Sequence, residues 1–142
     1  MDKIKILIVD DDENIIKSLK RFLDTKENLE IITLTNPQKA LEMIKTSKVH
    51  IVLSDIQMPE MDGLEFLRQV KKVDAMAQFI VMTAYPTMER IMQALENGAN
   101  DFVLKPFESL DFLWDTINLS INKLSRWRKV LRNNFSHHKR WG

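Results

Sequence analysis

Five short apolar runs, Lys3–Val9, Leu29–Thr33, Ile51–Leu53, Phe79–Met82 and Phe102–Leu104, alternate with five stretches whose apolar residues recur at helical spacing. Few folds accept that alternation of strand and helix periods. It predicts parallel strands joined by right-handed helical crossovers in one α/β doubly wound sheet.

Punctuation along the chain supports the division. The first run stops at Asp10, Asp11 and Asp12, and Ile15, Ile16, Leu19, Phe22 and Leu23 follow at helical spacing. Three acids cannot continue a buried strand, but they suit the positive start of a helix. Asn36-Pro37 reads as an N-cap with Pro at the first helical position, opening a helix that buries Ala40, Leu41 and Ile44. The run Ile51–Leu53 reads as a strand covered on both faces, ending at Asp55. Pro59 and Asp62-Gly63 mark the turn after it, and Asp62 with Glu65 has capping-box spacing before Leu64, Leu67 and Val70. In the fourth helix the stripe Met88, Ile91, Met92 and Leu95 is expected to pack, and Gly98 to end it in the left-handed conformation. A long fifth helix is expected from about Ser109.

A chain of 142 residues, 44% hydrophobic and 29% charged, accommodates one domain with a real core and no second full domain. It has no Cys, which excludes disulfides and thiolate chemistry. With no long apolar run and no signal peptide, a cytoplasmic protein without membrane contact is expected. The net charge of +1 conceals an asymmetry: residues 123–142 carry seven Lys/Arg and no acid, leaving 14 bases against 20 acids in residues 1–122.

In a parallel sheet all strand carboxyl ends share one edge, so Asp10, Asp11, Asp55, Thr83 and Lys105 converge there. Taken singly, the acids suit a helix start, Thr83 a strand end and Lys105 a solvated surface. Together they describe a site. Clustered carboxylates repel one another without a cation, and an all-oxygen set points to Mg²⁺, with Mn²⁺ also fitting. A carboxylate can also act as a nucleophile and form an aspartyl-phosphate, with a Lys ammonium and a Thr hydroxyl holding the phosphoryl oxygens.

These residues bring the chain to a known family. Five motifs, VDDD at Val9–Asp12, SDIQMPEMDG at Ser54–Gly63, MTA at Met82–Ala84, NGANDF at Asn97–Phe102 and LKPF at Leu104–Phe107, resemble in order and spacing the receiver domain of bacterial two-component response regulators. The resemblance covers about residues 3–122. It implies a five-stranded sheet of flavodoxin-like order 2-1-3-4-5. It further implies that Asp55 is the phosphoacceptor, that Asp10, Asp11, Asp55 and the Gln57 carbonyl bind Mg²⁺, and that Thr83 and Lys105 contact the phosphoryl group. Lys105-Pro106 would be a cis peptide, Phe102 and Thr83 the switch residues, and Gln57 and Tyr85 would occupy positions that tune phosphoryl lifetime. The implied donor is a phosphohistidine on a sensor histidine kinase. The implied readout is a change in the face of the fourth helix, fifth strand and fifth helix, acting on an output domain or partner. Such a protein catalyses only its own phosphorylation and dephosphorylation. A rival from another class is a Mg²⁺-dependent phosphatase or phosphotransferase using an aspartyl-phosphate, but every predicted loop is short, leaving nowhere obvious to enclose a metabolite.

The boundary is therefore expected near residue 122, with a receiver over 1–122 and a basic helical extension or linker over 123–142. Leu110, Trp114, Ile117, Ile121, Leu124, Arg128, Leu131 and Phe135 form a heptad seam, and a helix running past Lys123 would expose Trp127, Val130 and Leu131. A homodimer through that helix or through the readout face is one expected use. Nucleic-acid contact through this chain alone is not expected, because a helix-turn-helix pattern is missing. Residues 136–142 are expected to lack order.

Overall fold

The computed structural model describes residues 3–107 and 109–141, with side chains as far as Asn133. Its elements are β1 Ile4–Val9, α1 Glu13–Leu23, β2 Leu29–Leu34, α2 Pro37–Thr46, β3 Ile51–Asp55, α3 Gly63–Val73, β4 Gln78–Thr83, α4 Met88–Glu96, β5 Asp101–Leu104 and α5 Leu110–Trp141. The strands form one sheet of order β2-β1-β3-β4-β5, and every neighbouring pair is parallel.

Both faces of the sheet are covered, and alternate strand residues divide between them. Leu7, Val9, Val52, Phe79 and Val81 meet Ala40 and Leu41 of α2, Phe66 and Leu67 of α3, and Ala94 of α4. Ile6, Ile8, Ile51, Leu53, Ile80 and Met82 point the other way, onto Ile16 and Leu19 of α1 and Leu113 and Ile117 of α5. This period-two division within continuous apolar strands accounts for the doubly wound architecture.

Local chemistry sets the helix starts. Asp12 caps α1 by accepting from the Asn14 and Ile15 N–H groups, and Asn36 does the same at Gln38 and Lys39 ahead of Pro37. Asp62 accepts from the Leu64 N–H at 3.2 Å. The predicted capping box is only half present: Glu65 turns along the helix to Gln69 and Arg68 instead of back to Asp62. Gly98 has φ +99°, the left-handed conformation expected of it.

The α4 stripe departs from expectation. Met88, Met92 and Leu95 are 73%, 48% and 50% exposed, and Ala94 alone is buried in that helix. The cause is position: α4 lies toward the sheet edge, where β5 has only four residues and offers little surface to cover. The small Ala94 suffices for docking. The seam on α5 is also displaced. Leu113, Thr116, Ile117 and Ser120 are buried, while Leu110, Trp114, Ile121 and Leu124 pack beside them half-buried. Beyond Arg128, Val130 and Leu131 are exposed, and Trp127 is half-buried. The side chains of residues 136–142, and of Phe135 in the seam, lie outside the described residues. Among the described residues no helix is long and apolar enough to cross a membrane.

Candidate functional site

The sheet order reverses at its middle: the chain leaves β1 toward β2 on one side, and β3 lies on the other. A crevice opens at the carboxyl ends of such a pair. Asp10 is the first residue past β1 and Asp55 the last of β3, so the topology delivers both acids to that crevice.

Short turns fix both carboxylates. Asp10 is fully buried, and its Oδ1 accepts from the Asp12 N–H at 2.9 Å. Asp55 Oδ1 accepts from the Gln57 N–H, also at 2.9 Å. Their second oxygens face Lys105, whose Nζ donates to Asp10 Oδ2 at 2.5 Å and to Asp55 Oδ2 at 2.8 Å. The Asp55 and Lys105 side chains are only 13% and 11% exposed, so this pairing is largely shielded from water. Asp11 stands in solvent, and one oxygen each of Asp10, Asp11 and Asp55 lie within 4.8 Å of one another.

The electrostatics follow from burial. Burial pushes the Asp10 carboxyl above the usual range, outweighing the Lys105 ammonium and the Asp12 N–H; the neighbouring Asp55 charge adds to the rise. Burial alone would lower Lys105, but the hydrogen bonds and charges of Asp10 and Asp55 hold it above its ordinary value. Three formal carboxylates against one ammonium leave excess negative charge. The oxygen-only donors, one of them solvent-facing, fit a hard divalent cation such as Mg²⁺. Such an ion would share Asp10 and Asp55 with Lys105.

The other predicted residues stand around this centre at differing distance. Thr83 ends β4, is 2% exposed, and its carbonyl accepts from the Lys105 N–H at 2.8 Å. Its Oγ1 accepts from the Tyr85 N–H at 3.1 Å; among the described residues it makes no side-chain bond to Asp55 or Lys105. Phe102 is half-buried against the core on the α2, α3 and α4 side. Gln57 and Tyr85 are exposed, and with Asp62, Arg68, Thr87 and Arg90 they line an adjoining cleft of about 580 Å³. Lys105-Pro106 is cis.

Asp12, the third acid of the triplet, caps α1, as an acid at a helix start suits. One feature of the site escapes the sequence. Arg90 of α4 pairs with Asp62, 3.7 Å away, across the cleft. No spacing signals a pair that joins two helix starts 28 residues apart.

Residues 6–117 match the sequence model of a family described as Response regulator receiver domain. The chain is 37% identical over 128 residues to the transcriptional regulatory protein FlgR of Helicobacter pylori, covering 90% of this chain but 30% of that protein. It is 35% identical over 119 residues to the chemotaxis protein CheY of Bacillus subtilis, covering 83% of this chain and 98% of that one. Among solved structures, a CheY-like response regulator receiver domain protein from Methanospirillum hungatei superposes with a TM-score of 0.81 at 29% identity, covering 87% of this chain and 98% of that one.

Proposed function

This chain belongs to the response regulator receiver domain family, and from that premise we propose that it is a phosphorylation switch with Asp55 as phosphoacceptor. One observation carries the reading: the Asp55 carboxylate at the end of β3 is bonded to Lys105 and shares a 4.8 Å cluster with Asp10 and Asp11.

In the proposed reaction an Asp55 oxygen attacks the phosphorus of a phosphohistidine on a sensor kinase. The P–O bond forms as the P–N bond breaks, and the histidine nitrogen leaves with the electron pair. Asp10, Asp11, Asp55 and the Gln57 carbonyl would hold Mg²⁺, which supplies charge neutralisation for the phosphoryl oxygens when bound. Lys105 is already beside Asp55 and would follow the transferred phosphoryl group with its ammonium. The Thr83 hydroxyl, now accepting from Tyr85, would turn to the phosphoryl oxygens. The protein's catalysis would extend only to its own phosphorylation and dephosphorylation. Gln57 and Tyr85 are exposed and line the cleft beside Asp62 and Arg90, and in this reading they tune the lifetime of the acyl phosphate.

The readout would be the face of α4, β5 and α5. Met88, Met92, Leu95, Leu104 and Phe112 are exposed there, and half-buried Phe102 lies within it. An exposed apolar surface of this kind suits an output domain, a partner or a second copy of the chain. Thr83 and Lys105 link it to Asp55 through the β4 and β5 ends, giving a local charge change a route to the surface.

Incubation with a small phosphodonor and Mg²⁺, followed by intact-mass measurement, tests the proposal. One phosphoryl adduct is expected on the wild type and none on Asp55→Ala. Repeated turnover of a metabolite phosphate would favour the aspartyl-phosphate enzyme instead.

A further inference from the structure

The end of α5 is unlike the rest of the molecule. Its last packed apolar residue against the sheet is Leu124, while Arg128 lies close enough to His50 to act on its charge. The helix nevertheless continues to Trp141. From Lys123 to Gly142 the chain has seven bases and no acid. Trp127, Val130 and Leu131 fall at i, i+3 and i+4, on one face, and Val130 and Leu131 are 56% and 42% exposed. Arg126, Lys129 and Arg132 are all exposed and, by helical spacing, lie around the opposite side.

We propose that this segment is a surface-seeking helix that docks on an anionic lipid bilayer, with exposed Val130 and Leu131 entering the interface, half-buried Trp127 at its boundary and the bases meeting the headgroups. Charge decides among occupants. A second copy could cover Val130 and Leu131, but a parallel pair would bring seven cations against seven, with no acid in either segment to answer them. A nucleic acid would engage the bases and leave the exposed apolar pair in water. A bilayer interface takes an apolar strip and a cationic flank together, and an indole is well suited to its boundary. The body of the domain, at −6, would be held away from the same surface, leaving the Asp55 edge in solvent. This docking needs no spanning helix, and it departs from the expectation of no membrane contact, which rested on the lack of a long apolar run.

The test is co-sedimentation of the full chain with vesicles of phosphatidylcholine alone and of an equimolar mixture with phosphatidylglycerol. Binding to the anionic vesicles and not to the neutral ones is expected. It should fall at least about tenfold in Val130→Ser/Leu131→Ser and in Arg126→Glu/Lys129→Glu/Arg132→Glu. Circular dichroism of both variants should match the wild type, since all five side chains are exposed. Three results would overturn the proposal: no sedimentation with anionic vesicles; undiminished binding in Val130→Ser/Leu131→Ser with equal capture of double-stranded DNA, which would indicate a polyanion site; or a dimer that dissociates on the serine substitutions and ignores lipid.

Discussion

Lys105 Nζ lies 2.5 Å from Asp10 Oδ2, joining residues 95 apart in sequence. This bond ties the end of β5 to the end of β1 across the intervening β3 and β4, and it places the one ammonium of the site against its most buried acid.

Removing that ammonium should expose the repulsion it offsets. Lys105→Met is expected to destabilise the fold by about 3 kcal/mol, because Asp10 and Asp55 would then face each other in a water-poor site without a cation. Added Mg²⁺ should recover part of the loss. Urea denaturation with and without Mg²⁺ checks this, and a variant as stable as the wild type in metal-free buffer would contradict it.

Gly63 is fixed by space. A Cβ there would lie 2.5 Å from the Ile56 carbonyl oxygen and 2.6 Å from its carbon. Gly63→Ala is therefore expected to push the loop after Asp55 outward, costing about 3 kcal/mol and slowing adduct formation. Thermal denaturation and the phosphodonor assay read the two effects.

His50 provides a pH dependence far from the site. Its Nδ1 accepts from the Lys5 N–H at 3.0 Å, which requires an unprotonated nitrogen. Burial, then the charges of Lys48, Arg128 and Lys5, lower its pKa below the ordinary 6.5. The unfolded chain therefore binds the proton more readily, so stability should fall as pH drops below about 6.5. His50→Gln should flatten that part of the stability profile; an unchanged slope would remove His50 as its source.

The Gln78 amide is fully buried, with Oε1 accepting from Ser120 at 3.3 Å and Nε2 without a partner among the described residues. An unpaired buried donor is a standing cost. Gln78→Met is expected to leave stability unchanged or raise it by up to about 1 kcal/mol in equilibrium unfolding, whereas a loss above that would mean that the amide is satisfied.

Much of this was legible in the sequence because it rests on local pattern. The two-residue and 3.6-residue periods separate strands from helices, and the acids that stop the β1 and β3 runs are visible as breaks in apolar sequence. What the sequence did not yield depends on position across the sheet. The α4 stripe has a proper amphipathic period, yet Met88, Met92 and Leu95 face solvent because β5 at the edge is short. Leu113, missed from the α5 seam, is wholly buried because α5 packs onto the sheet, where Leu113 and Ile117 join the core of that face, and not along a partner helix. The Asp62–Arg90 pair and the orphaned Gln78 amide arise only when distant segments meet.

The central claim is that the covalent chemistry occurs on Asp55. Borohydride reduction converts an acyl phosphate to an alcohol, so peptide mapping after phosphodonor treatment and reduction locates the modified carboxylate. A Mg²⁺-dependent reduction at residue 55, absent without phosphodonor, is the predicted result. Reduction at Asp10, Asp11 or Asp12 instead, or no reduced residue at all, would contradict the account.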